Sequence, residues 1–387
     1  MTNNTDYLQI LWELKYSDVA VSSTILTIIG GIVGILGNCS VIICYFFRIQ
    51  ERGQRYFIPV LAVVDLVACI TSSVFYIMDN KFLLNYPYDL MCRVLIFLQL
   101  LVPGISASLL VIIGVQRYLL VCKPHGPRMT SRWKRIAIVV VCLFSLALSA
   151  PFLAISGIKT SSKTFQNHTL QMTVCKFFTA EITANIRAYI SCLLLLIIIS
   201  ILITITLFIL VLKRIKLSFL GKFRSWRQTF KHRNTPSNTD STKDIELYNC
   251  KGKLHGIQIQ KISSSNPSID VSSSLSVDLD INKSVNTLKK EDSERTRKEK
   301  ATRRITIMFF VIIVAYVLSY IPTCIIFIVV YTLPDFNYIS LSREAAFLII
   351  YLSRFVFLNH IVNPFIYSYF DQNFRTELRK LFACVNE

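Results

Sequence analysis

Three ionisable side chains, Asp65, Arg354 and His360, lie inside long apolar runs, and Arg117 closes another in Gln116-Arg117-Tyr118. A charge in such surroundings needs partners: unpaired at mid-bilayer it costs about 2.5–3.5 kcal/mol even on a lenient insertion scale. Asn38, Ser106, Asn359 and Asn363, on other runs, have the right chemistry to partner Asp65. No nucleophile, base and orienting group stand together, and no cluster has metal-ligand spacing, so catalysis is not indicated. His360, alone in its run, reads as a buried hydrogen-bonding group. The chemistry on offer is hydrogen bonding between charged and neutral polar groups.

Those residues sit on seven apolar runs: 19–47, 56–64 with 66–78 across Asp65, 94–116, 136–158, 188–212, 305–334, and 345–370 interrupted by Arg354. Each is long enough to cross a bilayer as a helix, provided its lone charge faces inward. Between Cys92 and Tyr118, the residues Cys92, Gln99, Ser106 and Arg117 fall on nearly one helical face. A polar line down a greasy helix faces other helices, because lipid offers it no partners. At 53% hydrophobic and 17% charged, the chain is far from a soluble domain, where about 25% is charged. The fold expected is an all-α membrane protein, a seven-helix bundle with a short amphipathic helix after the seventh span.

The net charge of +19 follows topology. Basic residues gather after runs one, three, five and seven, which by the positive-inside rule places the amino terminus outside and the carboxyl terminus inside. Charge spread over alternate loops argues against nucleic acid. No basic start and apolar core marks residues 1–18 as a signal peptide, so the first span is expected to direct its own insertion. Of eleven cysteines, only Cys92 and Cys175 fall in segments assigned outside. Oxidation there would close a long loop, worth about 4–5 kcal/mol in the chain-entropy model; the alternative is two unpaired thiols.

Taken in order, residues 1–18 form an outer segment with a glycan acceptor at Asn3, and Asn167 is a second. Spans one to five, with their loops, occupy 19–212. Within the loop 159–186, Leu170, Met172 and Val174 alternate with polar residues, which predicts a strand, half of a hairpin. Residues 213–302, hydroxyl-rich and poor in aromatics, read as a mostly disordered loop whose ends, 213–233 and 289–304, prolong helices five and six. Spans six and seven fill 303–370. In 371–387, Phe374, Leu378, Leu381 and Phe382 at helical spacing oppose Arg375, Arg379 and Lys380, an amphipathic helix for the inner leaflet. Cys384 is a palmitoylation candidate.

Asn38 on span one, Asp65 on two, Cys92 and Arg117 on three, Pro322 on six and Asn363-Pro364-Phe365-Ile366-Tyr367 on seven stand in order. In this the chain resembles rhodopsin-like (class A) G-protein-coupled receptors. It departs from their pattern by lacking a tryptophan in span four, a proline in span five and, with Tyr320, the indole before Pro322. The resemblance implies a multi-pass plasma-membrane receptor that activates a heterotrimeric G protein. It implies switch roles for Gln116, Arg117, Tyr118, Tyr320, Pro322, Asn363, Pro364 and Tyr367. It further implies a small sodium- and water-filled cavity framed by Asp65, Ser106, Asn359 and Asn363, the alternative being a hydrogen-bonded knot without an ion.

Amine receptors of this family carry an aspartate where Gln99 stands, and opsins a lysine where Phe357 stands. Gln99, Tyr320 and the strand-like outer loop look more like a peptide receptor than one for a lipid or other small molecule. Arg354 either pairs with an acidic ligand group or snorkels. Gln116 replaces the family's acid beside Arg117 and can still accept a hydrogen bond from it, a weaker one, so signalling without ligand is expected; the alternative is that packing at Tyr316 and Tyr320 already fixes the resting state. With no hydroxyl beyond Cys384, receptor kinase and arrestin are expected to read serines in 263–276. A seven-span transporter or channel is the reading from another class; it would favour broken helices and several charges along a path.

Overall fold

In lipid a chain must satisfy its own backbone, so apolar runs become helices. The computed structural model describes residues 3–49, 53–82, 85–165, 168–179, 183–233, 271–333 and 341–383. Its helices are α1 (Asn3–Ile43), extended by a π-helical turn Cys44–Arg48, α2 (Phe57–Lys81), α3 (Asp89–Cys122), α4 (Ser131–Ser149), the short α5 (Phe152–Ile155), α6 (Ala184–Arg233), α7 (Val271–Thr332), α8 (Arg343–Ser353), α9 (Val356–Phe370) and α10 (Gln372–Ala383). Six stretches are long and apolar enough to cross a membrane, and the pair α8 and α9 makes a seventh, bent by 52°. The chain divides into two units, Met1–Ile215 with Thr302–Glu387, and Lys216–Ala301. The second is helical where described. Its helix begins at Val271, earlier than 289, with Leu275 and Leu279, then Ile281, Val285 and Leu288, at helical spacing.

The seventh run was expected as one helix, and it breaks at Arg354. Arg354 N bonds Tyr351 O at 3.2 Å and Phe355 N bonds Leu352 O at 3.3 Å, a tight turn in place of the helical ladder. The carbonyls of Leu352 and Ser353 lie near the hydroxyl of Thr323 on α7, at 3.5 and 3.4 Å. No proline or glycine causes the break. What distinguishes Arg354 is its set of partners on α1 and α2, described below.

Close packing of α1 rests on small residues. A Cβ at Gly34 would come within 2.5 Å of Cys69 Sγ on α2, and one at Gly37 within 3.0 Å of Pro364 on α9. The core runs from Tyr45, Phe57 and Leu61 through Leu109 and Ile113 to Phe309, Tyr316 and Tyr367. Val139, Leu143, Ile198 and Leu202 stay exposed, as lipid-facing side chains should.

Strands β1 (Gly157–Phe165) and β2 (His168–Lys176) pair antiparallel, Ile158 opposite Cys175, so the alternating stretch is indeed half of a hairpin. Gly157 takes φ +152°, and a Cβ there would stand 2.6 Å from Asp89 Oδ1. Glycine is required at that corner.

Candidate functional site

Asp65 is fully buried on α2. Its Oδ1 lies 2.7 Å from His360 Nδ1, and its Oδ2 accepts from Asn363 Nδ2 at 2.7 Å. Asn38 donates to the carbonyls of Gly34 and His360, both at 2.9 Å, and so ties α1 to α9 rather than to Asp65. Ser106 faces the carboxylate with its Oγ short of a hydrogen bond. Both ends of the Asn359 amide, Asn363 Oδ1 and the Tyr367 hydroxyl are buried without protein partners. The residues fit a small hard cation: one carboxylate with neutral oxygens from Ser106, Asn359 and Asn363. Such an ion would compete with His360 for Oδ1.

At the end where α3 finishes, Arg117 is fully buried. Its Nη2 donates to the backbone carbonyl of Gln54, and its guanidinium lies 4.4 Å from the centroid of Phe309 on α7. Gln116 could accept from Arg117 but does not: its Oε1 is buried without a partner, as are Arg117 Nε and Nη1. A neighbour in sequence projects about 100° round the helix, which lets a loop carbonyl take the guanidinium instead. Tyr118 is half-buried. Pro364 packs at Gly37, and Pro322 lies inside α7.

At the opposite end Cys92 and Cys175 form a disulfide. Asp89 accepts from Ile158 N at 2.8 Å and pairs with Arg93 at 2.6 Å, and Arg93 donates to Leu153 O. Tyr86 N bonds Thr173 O at 2.9 Å, fastening β2. Burial, with Asp79 adding, pushes the Tyr86 phenol up to about 12, so it stays a neutral hydroxyl at working pH. Gln99, two turns along α3 from Cys92, accepts from Ser72 at 3.2 Å; its Nε2 is buried without a partner. Pro103 lies inside α3, and its carbonyl accepts from Tyr320 at 3.2 Å.

Arg354 neither snorkels nor stands clear for a ligand. Its Nη2 pairs with Asp79 at 3.2 Å and Asn80 Oδ1 at 2.7 Å, its Nη1 donates to Ser23, and it lies 5.0 Å from the Tyr76 ring centroid. Asp79 joins Asp65, Arg354 and His360 as an ionisable residue within the spans, because α2 runs on past the apolar run to Lys81.

Asp371 was missed too. It is buried, accepts from Tyr45 at 2.6 Å and from Arg55 at 2.6 and 3.2 Å, and caps α10 through Asn373 N at 3.0 Å. An aspartate just before an amphipathic stretch is an N-cap signal that could have found it. On α10, Phe374 stacks on Tyr45 with centroids 5.8 Å apart, so part of the apolar face packs on the bundle rather than lipid. Helix α1 begins at Asn3. Asn167, Cys384, Ser263, Ser264, Ser265 and Ser268 lie outside the described residues, whereas Ser272, Ser273, Ser274 and Ser276 fall in α7.

Residues 37–367 match the family described as 7 transmembrane receptor (rhodopsin family). The chain is 30% identical over 156 residues to the RYamide receptor of Drosophila melanogaster, covering 38% of this chain and 32% of that protein. It is 30% identical over 129 residues to the neuropeptide Y receptor type 6 of Oryctolagus cuniculus, covering 32% and 33%. The matched stretch thus spans about a third of each relative. Squid rhodopsin shares the fold with a TM-score of 0.61 at 18% identity, covering 95% of this chain and 86% of that one.

Proposed function

The chain belongs to the rhodopsin family of seven-transmembrane receptors, and we propose that it is a plasma-membrane receptor for an extracellular peptide, signalling through a heterotrimeric G protein. The observation that carries the ligand class is Gln99: a buried amide donor without a partner, about 10 Å along α3 from the disulfide that holds the hairpin. A peptide carbonyl satisfies such a donor, and an extended peptide has carbonyls to spare. The relatives named for neuropeptide Y and RYamide support the same class. By loop charge the Cys92 end faces outward and the Arg117 end meets the G protein. The basic face of α10, Arg375, Arg379 and Lys380, suits anionic lipid. Arrestin and kinase would read the serines of 263–276.

A peptide-library screen read out by second messengers tests this. Gln99→Ala should weaken the active peptide about tenfold, the worth of one hydrogen bond to a buried group. A lipid or amine that activates at nanomolar concentration and ignores Gln99→Ala would overturn the peptide reading. An ion current in voltage clamp without nucleotide exchange would favour a channel instead.

The same reading includes an allosteric sodium ion held by Asp65, Ser106, Asn359 and Asn363, which would supply charge compensation for the carboxylate. Asp65→Asn should remove any dependence of agonist affinity on sodium. If the unmodified receptor shows no such dependence, His360 and Asn363 alone satisfy Asp65 and the ion is not part of the mechanism.

A further inference from the structure

Among the described residues no carboxylate pairs with Arg117, and Gln116 does not replace one. What holds the guanidinium is a backbone carbonyl, that of Gln54, in the turn Gly53–Arg55 between α1 and α2. The same residue reaches the other way: Gln54 Nε2 donates to Thr302 Oγ1 at 2.9 Å, at the base of the sixth span. The turn is itself held from two more sides. Lys134 of α4 donates to Gly53 O at 3.2 Å, and Arg55 forms two bonds to the buried Asp371.

We propose that Gly53–Arg55 is an autoinhibitory latch, in which Gln54 clasps α3 through its carbonyl and α7 through its side chain and must release both before a partner protein enters at Arg117. This rests on the receptor reading above. The argument is one of geometry and relative strength. A fully buried guanidinium with Nε and Nη1 unpartnered is poorly compensated, since one carbonyl and the face of Phe309 are weaker than a charge-assisted carboxylate pair. Such an arginine leaves readily when offered more acceptors. The Gln54–Thr302 bond is neutral, and it bridges the turn to the base of the sixth span. Breaking it frees α7 without disturbing the Arg55–Asp371 anchor.

The test uses the full chain with Gln54→Ala, Thr302→Val and the double variant, reading basal nucleotide exchange in matched membranes. Spin labels at positions 132 and 304, with accessible thiols replaced by serine, report the separation of α4 and α7 without any G protein. Each single variant should raise basal exchange about fivefold, and the double should exceed either by less than about twofold, because both remove one bond. The longer label distance should gain population in the same order. Thr302→Ser, which keeps the hydroxyl, should return both readouts toward the unmodified level. Distances unchanged in all three variants, or gains that simply multiply in the double, would overturn the latch. Distances that open while no G protein exchanges nucleotide would uphold the latch and sink the receptor reading instead.

Discussion

Cys175→Ala is expected to abolish saturable peptide binding and to leave most of the chain inside the cell. The disulfide joins residues 83 apart, and closing a loop of that length is worth about 4–5 kcal/mol in the chain-entropy model. Other ties of the hairpin are hydrogen bonds: Ile158 N to Asp89, Tyr86 N to Thr173 O, and Thr173 Oγ1 to Asn85 Oδ1. At about 1 kcal/mol each they do not replace the bridge. With the hairpin loose, Ile158 and Phe177 no longer pack against the cluster of Tyr86, Cys92, Ile96 and Phe152. Cys92→Ala should match Cys175→Ala, and the double variant should be no worse than either. Radioligand saturation on intact cells decides it: a normal binding isotherm for Cys175→Ala would show that the hairpin stands without its tether.

The hairpin also shows where a sequence stops being legible. Strand β2 announced itself because Leu170, Met172 and Val174 alternate with polar residues. Strand β1, Gly-Ile-Lys-Thr-Ser-Ser-Lys-Thr-Phe, has no such alternation and could be known only as the partner that β2 requires. The helices were legible for a plainer reason: lipid leaves the backbone no alternative. Asn363 was found as a partner of Asp65 from chemistry alone. His360 was correctly read as a buried hydrogen-bonding group, though its bond to Asp65 went unread, despite its lying three residues from Asn363 on one helical face.

Around Arg117 the sequence was silent, and for a physical reason. Its partner is a main-chain carbonyl, which every residue possesses, so nothing in the identity of Gln54 marks the contact. The absence of an acid at Gln116 was visible; where the arginine would go instead was not. Under the latch proposal, basal nucleotide exchange depends on the turn Gly53–Arg55 as well as on Gln116. The bend in the seventh span belongs to the same class of feature, since no helix breaker marks it and it falls at Arg354, which pairs with α1 and α2.

That pairing gives the second large effect. Arg354→Met should lower the melting midpoint of the purified receptor by about 5 °C or more. The Arg354 side chain is 10% exposed and that of Asp79 29%. Removing the guanidinium therefore leaves a carboxylate in a half-dry setting, with Asn80 Oδ1 losing its donor as well. Breaking one partner out of a buried pair costs about 3–5 kcal/mol, and the exposure of Asp79 places this case at the low end. Replacing both, Asp79→Leu with Arg354→Met, should recover at least half of the loss, because the penalty lies in the stranded charge rather than in the missing attraction. Phase on α2 makes the pairing intelligible: Asp79 lies fourteen residues, nearly four turns, beyond Asp65, so both carboxylates face the bundle. A midpoint unchanged in Arg354→Met, together with lost peptide binding, would instead return Arg354 to the role of a ligand contact. Equal loss in the single and double variants would show that the pair is not what holds α1, α2 and α8 together at this end of the bundle.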